Sequence, residues 1–140
     1  MPTVFSRIID GEIPGTFVWR DDHCVAFMSI NPLRAGHVLV VPRQEVEHWL
    51  DCPAELRDHL MDVSQNIGRA IQQVHQPEKV GFMIAGLEVP HLHIHLVPID
   101  GVRDLDFANA AASVEREELE DHARSIREVL TAMGAPGVSA

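Results

Sequence analysis

Three histidines alternate with apolar residues in the segment HLHIHLVP. Side chains of a β-strand alternate between its two faces, so a strand here places His91, His93 and His95 on one face and apolar residues on the other. The carbons that bear neighbouring rings then lie about 6.6 Å apart along the strand, close enough for two of the rings to contact one bound group. The apolar face belongs in a core, and the histidine face is therefore expected to line a cleft.

Two kinds of chemistry use such a cluster, and the spacing leaves both open. Imidazoles at alternate strand positions can bind zinc and leave one coordination position open. Alternatively, a neutral imidazole nitrogen can attack phosphorus while its neighbours neutralise phosphate oxygens and protonate the leaving group. A structural role is disfavoured, because adjacent imidazoles raise the cost of protonating one another and gain nothing in packing. We expect ordinary surface or core roles for five further histidines, namely His23, His48, His59, His75 and His122.

The composition restricts the class of partner. A chain of 140 residues that is 46% apolar can form one domain whose core needs neither disulfides nor a metal. The formal net charge of −10 argues against binding to nucleic acids or anionic membrane surfaces, which favour basic residues. No apolar stretch reaches the roughly 20 residues that span a bilayer, and Cys24 and Cys52 form no CxxC pair. Because no export signal is recognisable, we expect a cytoplasmic protein with free thiols.

Hydrophobic periodicity predicts the elements that position the histidines. Thr3 can cap a short N-terminal helix, apolar residues at three- and four-residue steps predict a long helix over 53–75, and Ser113 can cap a C-terminal helix. Apolar runs predict strands at residues 16–20, 24–28, 37–41, 80–85 and 92–97. Adjacent strands with helices between and after them indicate an α+β fold with a mainly antiparallel sheet. We expect one domain over residues 1–134 and a flexible tail over residues 135–140.

The histidine segment also carries a family resemblance. HLHIHLVP matches the signature His-φ-His-φ-His-φ-φ, in which φ is apolar, and so resembles the histidine triad (HIT) family of nucleotidyl hydrolases and transferases. VFSRIIDGEIP, DDHCVAFMSINPLRAGHVLVVP and AGLEVPHLHIHLVP resemble three further family segments, and the chain looks most like the bacterial Hint-like branch. The resemblance covers most of residues 4–98 and implies a HIT-like fold, with an approximately five-stranded sheet packed against a long helix. Residues 99–140 carry no motif that can be transferred.

The resemblance implies a metal-free reaction with no cofactor. In it, His93 attacks the α-phosphate of a nucleotide conjugate and forms a nucleotidyl-histidine that water later hydrolyses. His95 is expected to bind the phosphate, while His91 and His37 orient the cluster through hydrogen bonds. The implied substrates are purine nucleoside phosphoramidates, aminoacyl-adenylates or dinucleoside polyphosphates. The leaving-group side of the cleft is expected to come from residues 100–109 or from a partner subunit, because the family also implies a homodimer.

The resemblance further implies a nucleotide pocket, in which this sequence departs from the usual pattern. Ser29 stands where an acidic residue or asparagine usually holds the ribose hydroxyls, and Leu87 replaces a glutamine that contacts the phosphate. Glu88 either faces outward or, as a protonated acid, donates a proton to the leaving group. With fewer donors near the phosphate, we expect slow or narrowed activity. The residues expected to sandwich the base are Val4, Phe5, Ile8, Phe27 and Ile30.

Two alternative functions stay open beside this one. The protein could be a non-catalytic or weakly active purine nucleotide-binding or sensor module, because Leu87 and Ser29 replace polar groups. It could also be a metal-dependent hydrolase that uses the histidine cluster as ligands. Val4 and Arg7 stand in the region where some relatives carry a zinc-binding cysteine pair, so we expect no structural metal.

Overall fold

The computed structural model describes residues 2–140 and contains three helices and five strands in that range. The chain begins with a short helix, continues through three strands to a long helix, returns through two strands and finishes with a third helix. The elements are α1 (Val4–Ile9), β1 (Phe17–Arg20), β2 (Cys24–Met28), β3 (Val38–Pro42), α2 (Ala54–His75), β4 (Lys79–Met83), β5 (Ile94–Ile99) and α3 (Arg116–Ala132). Short 3₁₀ turns lie at Trp49–Asp51, Val102–Leu105 and Phe107–Asn109.

The five strands form one sheet in the order β1-β2-β3-β5-β4, and every neighbouring pair is antiparallel. This architecture confirms the α+β fold with an antiparallel, five-stranded sheet. Two of the three interior strands, β2 and β3, are buried along their whole length, which explains why their sequences are continuous apolar runs rather than alternating ones.

The two faces of the sheet have different cores. On one face, α2 and α3 bury a large cluster that includes Ile67, Ile71, Ile126 and Leu130. The opposite face carries a smaller cluster of aromatic and branched residues beneath α1. In the ladder between β3 and β5, Leu39 of this smaller cluster lies opposite His95, so the side chain of His95 is on the α1 face. Within the described residues, no helix is long and apolar enough to cross a membrane.

Some predicted boundaries are wrong, among them the start of β5 and the start of α3. Strand β5 begins at Ile94 rather than Leu92, because the backbone N–H of Leu92 donates to the carbonyl of Val46, 2.7 Å away, instead of joining the sheet. His91 and His93 therefore lie in the segment that leads into β5. The C-terminal helix begins at Arg116 and has Glu115 at its N-cap, so Ser113 does not cap it.

The C-terminal segment, for which we expected a flexible tail, contacts the edge of the sheet. The backbone N–H of Arg20 donates to the carbonyl of Gly137 at 2.9 Å, and Val138 forms a β-bridge with Trp19. A β-carbon on Gly137 would lie 2.2 Å from the buried indole of Trp19. The sequence of this segment contains small residues because it packs closely against that ring, rather than because it is unattached.

Candidate active site

A cavity of about 470 Å³ opens on the α1 face of the sheet and contains most of the candidate residues. Its walls come from α1, from the ends of β2 and β3, and from the loop that precedes the histidine segment. His37, His93 and His95 line it, whereas His91 does not. The structure also brings to this cavity all eight residues that sequence analysis assigned to nucleotide binding, namely Val4, Phe5, Ile8, Phe27, Ser29, Ile30, Leu87 and Glu88.

The hydrogen bond of His93 determines which of its ring nitrogens carries the proton. Nδ1 lies 2.7 Å from the backbone carbonyl oxygen of His91, and a carbonyl can only accept a hydrogen bond. Nδ1 of His93 is therefore the protonated nitrogen, and in the neutral ring Nε2 keeps its lone pair. The free lone pair belongs to a side chain that lines the cavity.

A second hydrogen-bond chain determines the tautomer of His95. The backbone N–H of Leu33 donates to Nδ1 of His37 at 3.0 Å, so the proton of a neutral His37 ring lies on Nε2. Nε2 of His37 is 3.0 Å from Nδ1 of His95 and donates to it. Nε2 of a neutral His95 consequently carries a proton and can donate to a bound anion. His93 and His95 thus present opposite functions, a lone pair and an N–H, with ring centroids 4.8 Å apart.

His91 uses both ring nitrogens in buried contacts outside the cavity. Nε2 donates to the carbonyl of Pro42 at 2.7 Å, which leaves Nδ1 to accept from the Thr3 hydroxyl at 2.7 Å. Thr3 is the N-cap of α1, where its Oγ1 also accepts the backbone N–H of Ser6. The Ser6 hydroxyl in turn donates to the carboxylate of Glu45. The capping box of α1 is thereby joined to the histidine whose carbonyl holds His93.

Burial keeps the imidazoles of the cavity uncharged. It lowers the pKa of His37 to about 3 and that of His95 to about 4, and the neighbouring histidines act in the same direction. Burial also lowers the pKa of His93, although the hydrogen bond to the carbonyl and the charge of Glu88 oppose this shift. A neutral ring is the nucleophilic form of histidine, so these shifts make His93 available as a nucleophile at neutral pH.

The arrangement is poorly suited to a metal. His91 has no free nitrogen, and one nitrogen of each of His37, His93 and His95 is held by a hydrogen bond. Because the second nitrogen of His37 donates to His95, Nε2 of His95 carries a proton, and Nε2 of His93 is the nitrogen of these four rings that keeps a free lone pair. Zinc sites use three or four protein ligands.

Apolar and aromatic side chains form the other end of the cavity. The ring of Phe5 packs edge-on against Phe27 and His93, with centroid distances of 5.6 and 4.8 Å. Val4 and Ile30 are 42% and 68% exposed, which leaves their apolar surfaces open at the cavity mouth. This combination of a buried aromatic floor and open aliphatic edges suits a flat heteroaromatic ring.

Several residues that line the cavity were not predicted from the sequence, among them Asn31, Phe107 and Ala110. Phe107, in a 3₁₀ turn, packs its ring 5.3 Å from that of His95, and Ala110 lies beside it in the wall. The side-chain amide of Asn31 donates to the carbonyls of Ala111 and Ala112, both at 3.0 Å, and so ties this segment to the mouth of the cavity. No spacing pattern links these positions, although the expectation that residues 100–109 reach the cleft points to the correct segment.

Known proteins share the sequence and the fold of this chain. A family model described as the HIT domain matches residues 10–102. An uncharacterised HIT-like protein of Methanocaldococcus jannaschii is 34% identical over 105 residues, which cover 68% of this chain and 77% of that protein. The adenosine 5′-monophosphoramidase HNT1 of Saccharomyces cerevisiae is 29% identical over 96 residues, or 68% of this chain and 61% of that protein.

The structural comparison extends over almost the whole chain. A hypothetical histidine triad nucleotide-binding protein from Sulfolobus tokodaii superposes with a TM-score of 0.81 at 25% identity and covers 92% of each chain. The matched residues 10–102 include all five strands of the sheet and the four histidines of the candidate site. With this fold, this sequence match and this histidine arrangement, the chain belongs to the HIT domain family.

Proposed function

We propose that this protein binds a purine nucleotide conjugate and transfers its nucleoside monophosphate to His93, then to water or another acceptor. The observation that carries the proposal is the hydrogen bond from Nδ1 of His93 to the carbonyl of His91. It leaves a lone pair on Nε2 in a cavity whose other end accepts an aromatic ring.

In the proposed first step, Nε2 of His93 forms a bond to the α-phosphorus, and the bond from phosphorus to the leaving group breaks. A leaving amine departs with a proton taken from solvent. The ring of His93 then bears Nδ1–H and a phosphorylated Nε2 and is positively charged. The carbonyl of His91 stabilises this charge, because hydrogen bonds to charged donors are stronger than those to neutral ones. In the second step water attacks the phosphorus, the bond from phosphorus to Nε2 breaks and a proton of the water passes to solvent, which releases the monophosphate and neutral His93.

His95 is proposed to contact the phosphate through its Nε2–H. The chain from Leu33 through His37 aims this donor without adding a positive charge. Leu87 offers no donor at the position where we expected a phosphate contact, and its side chain is 95% exposed. The phosphate therefore receives few donors from the chain, which supports the expectation of slow turnover.

A phosphoramidate is the first substrate to test. The name of the yeast relative, adenosine 5′-monophosphoramidase, supports a P–N bond as the bond broken, while adenylates and dinucleoside polyphosphates offer the same α-phosphorus. We expect wild-type protein, quenched without acid during turnover of adenosine 5′-phosphoramidate, to gain the mass of one AMP and to release ammonia. His93→Ala protein should show neither, and His48→Ala, which changes an exposed histidine, should behave as wild type.

A second function has one observation in its favour. The hydroxyl of Ser29 accepts the backbone N–H of Asn31 at 3.3 Å and is buried, so it is a weak partner for a ribose. A nucleotide-binding module without catalysis would fit a site with such sparse polar contacts. Calorimetric binding of AMP together with no adduct and no ammonia would establish this module and contradict the proposed reaction.

We also infer that the protein is located in the cytoplasm. We infer further that it forms a homodimer through β4. The family resemblance implies the dimer, and β4 has one neighbouring strand, while Val138 partly covers the opposite edge at β1. An edge strand can pair with another copy of itself, and Phe82 adds a half-exposed aromatic ring there. Light scattering after size exclusion is expected to give the dimer mass. Phe82→Glu should give the monomer mass, whereas Phe107→Glu, outside β4, should remain dimeric.

A further inference from the structure

Three possible metal ligands meet away from the cavity, where the β1–β2 hairpin lies beside α2. Asp21 follows β1, Cys24 begins β2, and His59 lies in the second turn of α2. Oδ2 of Asp21 is 2.7 Å from Nε2 of His59 and 3.5 Å from Sγ of Cys24, and the three ligand atoms lie within 4.8 Å of one another. They supply one oxygen, one nitrogen and one sulfur.

Hydrogen bonds fix the carboxylate of Asp21 in place. One of its oxygens, Oδ2, is contacted by more hydrogen-bond donors than it has lone pairs. Oδ1 accepts the backbone N–H groups of His23 and Cys24 at 2.7 and 2.8 Å. Oδ2 is contacted by the indole N–H of Trp19 at 2.8 Å as well as by the His59 ring and the Cys24 thiol. A carboxylate oxygen has two lone pairs in its plane, so three donors compete for them.

A single cation bound by all three ligands would resolve this competition. The cation would take one lone pair of Oδ2 and replace the His59 and Cys24 contacts, and the Trp19 N–H would keep the other. Ligands of a metal commonly have such an outer hydrogen bond, which orients them. Arg43 does not compete for the carboxylate, because its Nε donates to the backbone carbonyl of Asp21 at 2.7 Å.

The distances fit zinc with a small adjustment. Tetrahedral bonds of about 2.0 Å to oxygen and 2.3 Å to sulfur separate these two ligand atoms by about 3.5 Å, and the Oδ2 to Sγ distance is 3.5 Å. The distance from Oδ2 to Nε2 of His59 must widen by about 0.6 Å to reach the tetrahedral value. The His59 side chain is 32% exposed, so it can move and a metal can enter beside it.

We propose that Asp21, Cys24 and His59 bind a zinc ion that joins the β1–β2 hairpin to α2. Coordination releases the thiol proton of Cys24 to solvent, and the two negative ligands then balance the charge of the ion in this largely buried place. Water or His23, whose ring lies 5.2 Å from that of His59, completes the four-coordinate site. The role of the ion is to stabilise the fold, since the cluster lies apart from the cavity residues.

The proposal departs from two sequence-based expectations. We expected no structural metal because the N-terminal cysteine pair is missing, and we expected an ordinary role for His59. Neither expectation could anticipate this cluster, because the helix that supplies His59 is remote in sequence from Asp21 and Cys24 and the three positions match no metal-binding spacing.

Cobalt(II) is the probe for the test, because a bound thiolate gives it a charge-transfer absorption band. Full-length protein, freed of metal with a chelator, is titrated with Co²⁺ and then with Zn²⁺. We expect one equivalent of Co²⁺ to produce the thiolate band and the visible bands of a four-coordinate ion, and Zn²⁺ to abolish both. Zn²⁺ should also raise the melting temperature. No thiolate band in the wild-type protein would overturn the proposal.

Matched variants locate the metal. Cys24→Ser should lose the thiolate band, whereas Cys52→Ser, which changes the second free cysteine, should keep it. His59→Gln should weaken Co²⁺ binding by about tenfold or more, and His48→Gln should not. A thiolate band that survives in Cys24→Ser, or equal affinity for His59→Gln and His48→Gln, would contradict the site. Circular dichroism of the metal-free variants checks that they fold, and His93→Gln should bind Co²⁺ as wild type does, which separates this site from the histidine cluster.

Discussion

At the scale of single residues, hydrogen bonds rather than charges assign the functions of the histidines. A carbonyl of His91 holds the proton of His93 on Nδ1, and a backbone N–H acting through His37 places the proton of His95 on Nε2. Both assignments depend on backbone groups with one possible role, because a carbonyl can only accept a hydrogen bond and an N–H can only donate one. The same burial that makes these hydrogen bonds strong keeps the rings neutral.

The acid limb of the activity profile is expected to lie below pH 6.5, the ordinary pKa of histidine. The proposed reaction needs neutral His93, and its pKa is lowered in the fold, so lowering the pH through 6.5 leaves most of the nucleophile unprotonated. The measurement is kcat/KM of adenosine 5′-phosphoramidate against pH, corrected for uncatalysed hydrolysis. An acid limb at pH 6.5 would contradict the lowered pKa of His93 and so the neutral state of its ring. Glu88→Gln removes the charge that raises the pKa of His93, so it should move the acid limb to lower pH, and it should leave the alkaline limb unchanged if this side chain donates no proton.

Replacement of Leu87 by glutamine is expected to increase the rate of the proposed reaction. The side chain of Leu87 is 95% exposed at the wall of the cavity, so Leu87→Gln should change stability by less than about 0.5 kcal/mol. The added amide can donate to the phosphate, and one well-placed donor is worth on the order of 10²-fold in kcat. We expect an increase of about 3- to 100-fold in single-turnover rate. Leu50→Gln, an exposed change outside the cavity, is the control, and an unchanged rate for Leu87→Gln would show that this position does not reach the phosphate.

At the scale of elements, α1 is linked to the histidine segment by its own N-cap. Thr3 accepts the backbone N–H of Ser6, as any helix cap does, and donates to His91. The helix also carries Val4, Phe5 and Ile8, the proposed base-binding residues. One hydroxyl therefore caps the helix that forms this wall of the cavity and holds the ring of His91, whose carbonyl accepts the hydrogen bond of His93.

Thr3→Val tests this link. Loss of the cap is expected to lower the free energy of unfolding by about 1 kcal/mol, and the unpaired Nδ1 of buried His91 adds about 1 kcal/mol or more. Because the orientation of His91 affects His93, kcat should fall more than KM rises. Thr3→Ser keeps the hydroxyl and should restore both properties, which a role in packing alone would not explain. Denaturant unfolding and steady-state kinetics measure the two effects.

The elements also show where sequence reasoning succeeds and where it stops. Helix α2 was predicted correctly because its apolar positions repeat every three or four residues and face the sheet. The alternation of the triad correctly indicated a cluster, but it could not show that His91 faces away from the cavity, since its partners Thr3 and Pro42 are distant in sequence. Strand β5 begins late for a similar reason, because Leu92 donates to a loop carbonyl at Val46.

At the scale of the whole molecule, the C-terminal segment closes one edge of the sheet. Its contacts are made by backbone groups and by the absence of a side chain at Gly137, neither of which produces a hydrophobic pattern. The sequence therefore could not predict its position. Together with the segment at Phe107, it makes residues beyond the family signature part of both the core and the cavity.

Gly137→Ala is expected to destabilise the whole domain. The added methyl group would lie 2.2 Å from the indole of Trp19, which is buried and cannot move away cheaply. Overpacking of this kind costs about 1–3 kcal/mol, which thermal or denaturant unfolding detects. Gly101→Ala is the matched control, because a β-carbon there meets nothing within 4 Å. Equal stability of the two variants would show that the C-terminal segment is not held against Trp19 in solution.

For the proposed reaction, the neutral histidines of the cavity have a consequence for product inhibition. Among the described residues that line the cavity there is no lysine or arginine, and Glu88 adds a negative charge. A nucleotide conjugate has one negative charge on its α-phosphate, whereas the released monophosphate approaches two at neutral pH. A site that offers dipoles rather than cations discriminates against the additional charge. The cavity would bind the conjugate more tightly than the monophosphate. Hydrolysis would therefore lower the affinity of the cavity for the bound nucleotide, and the product would leave before the next turnover.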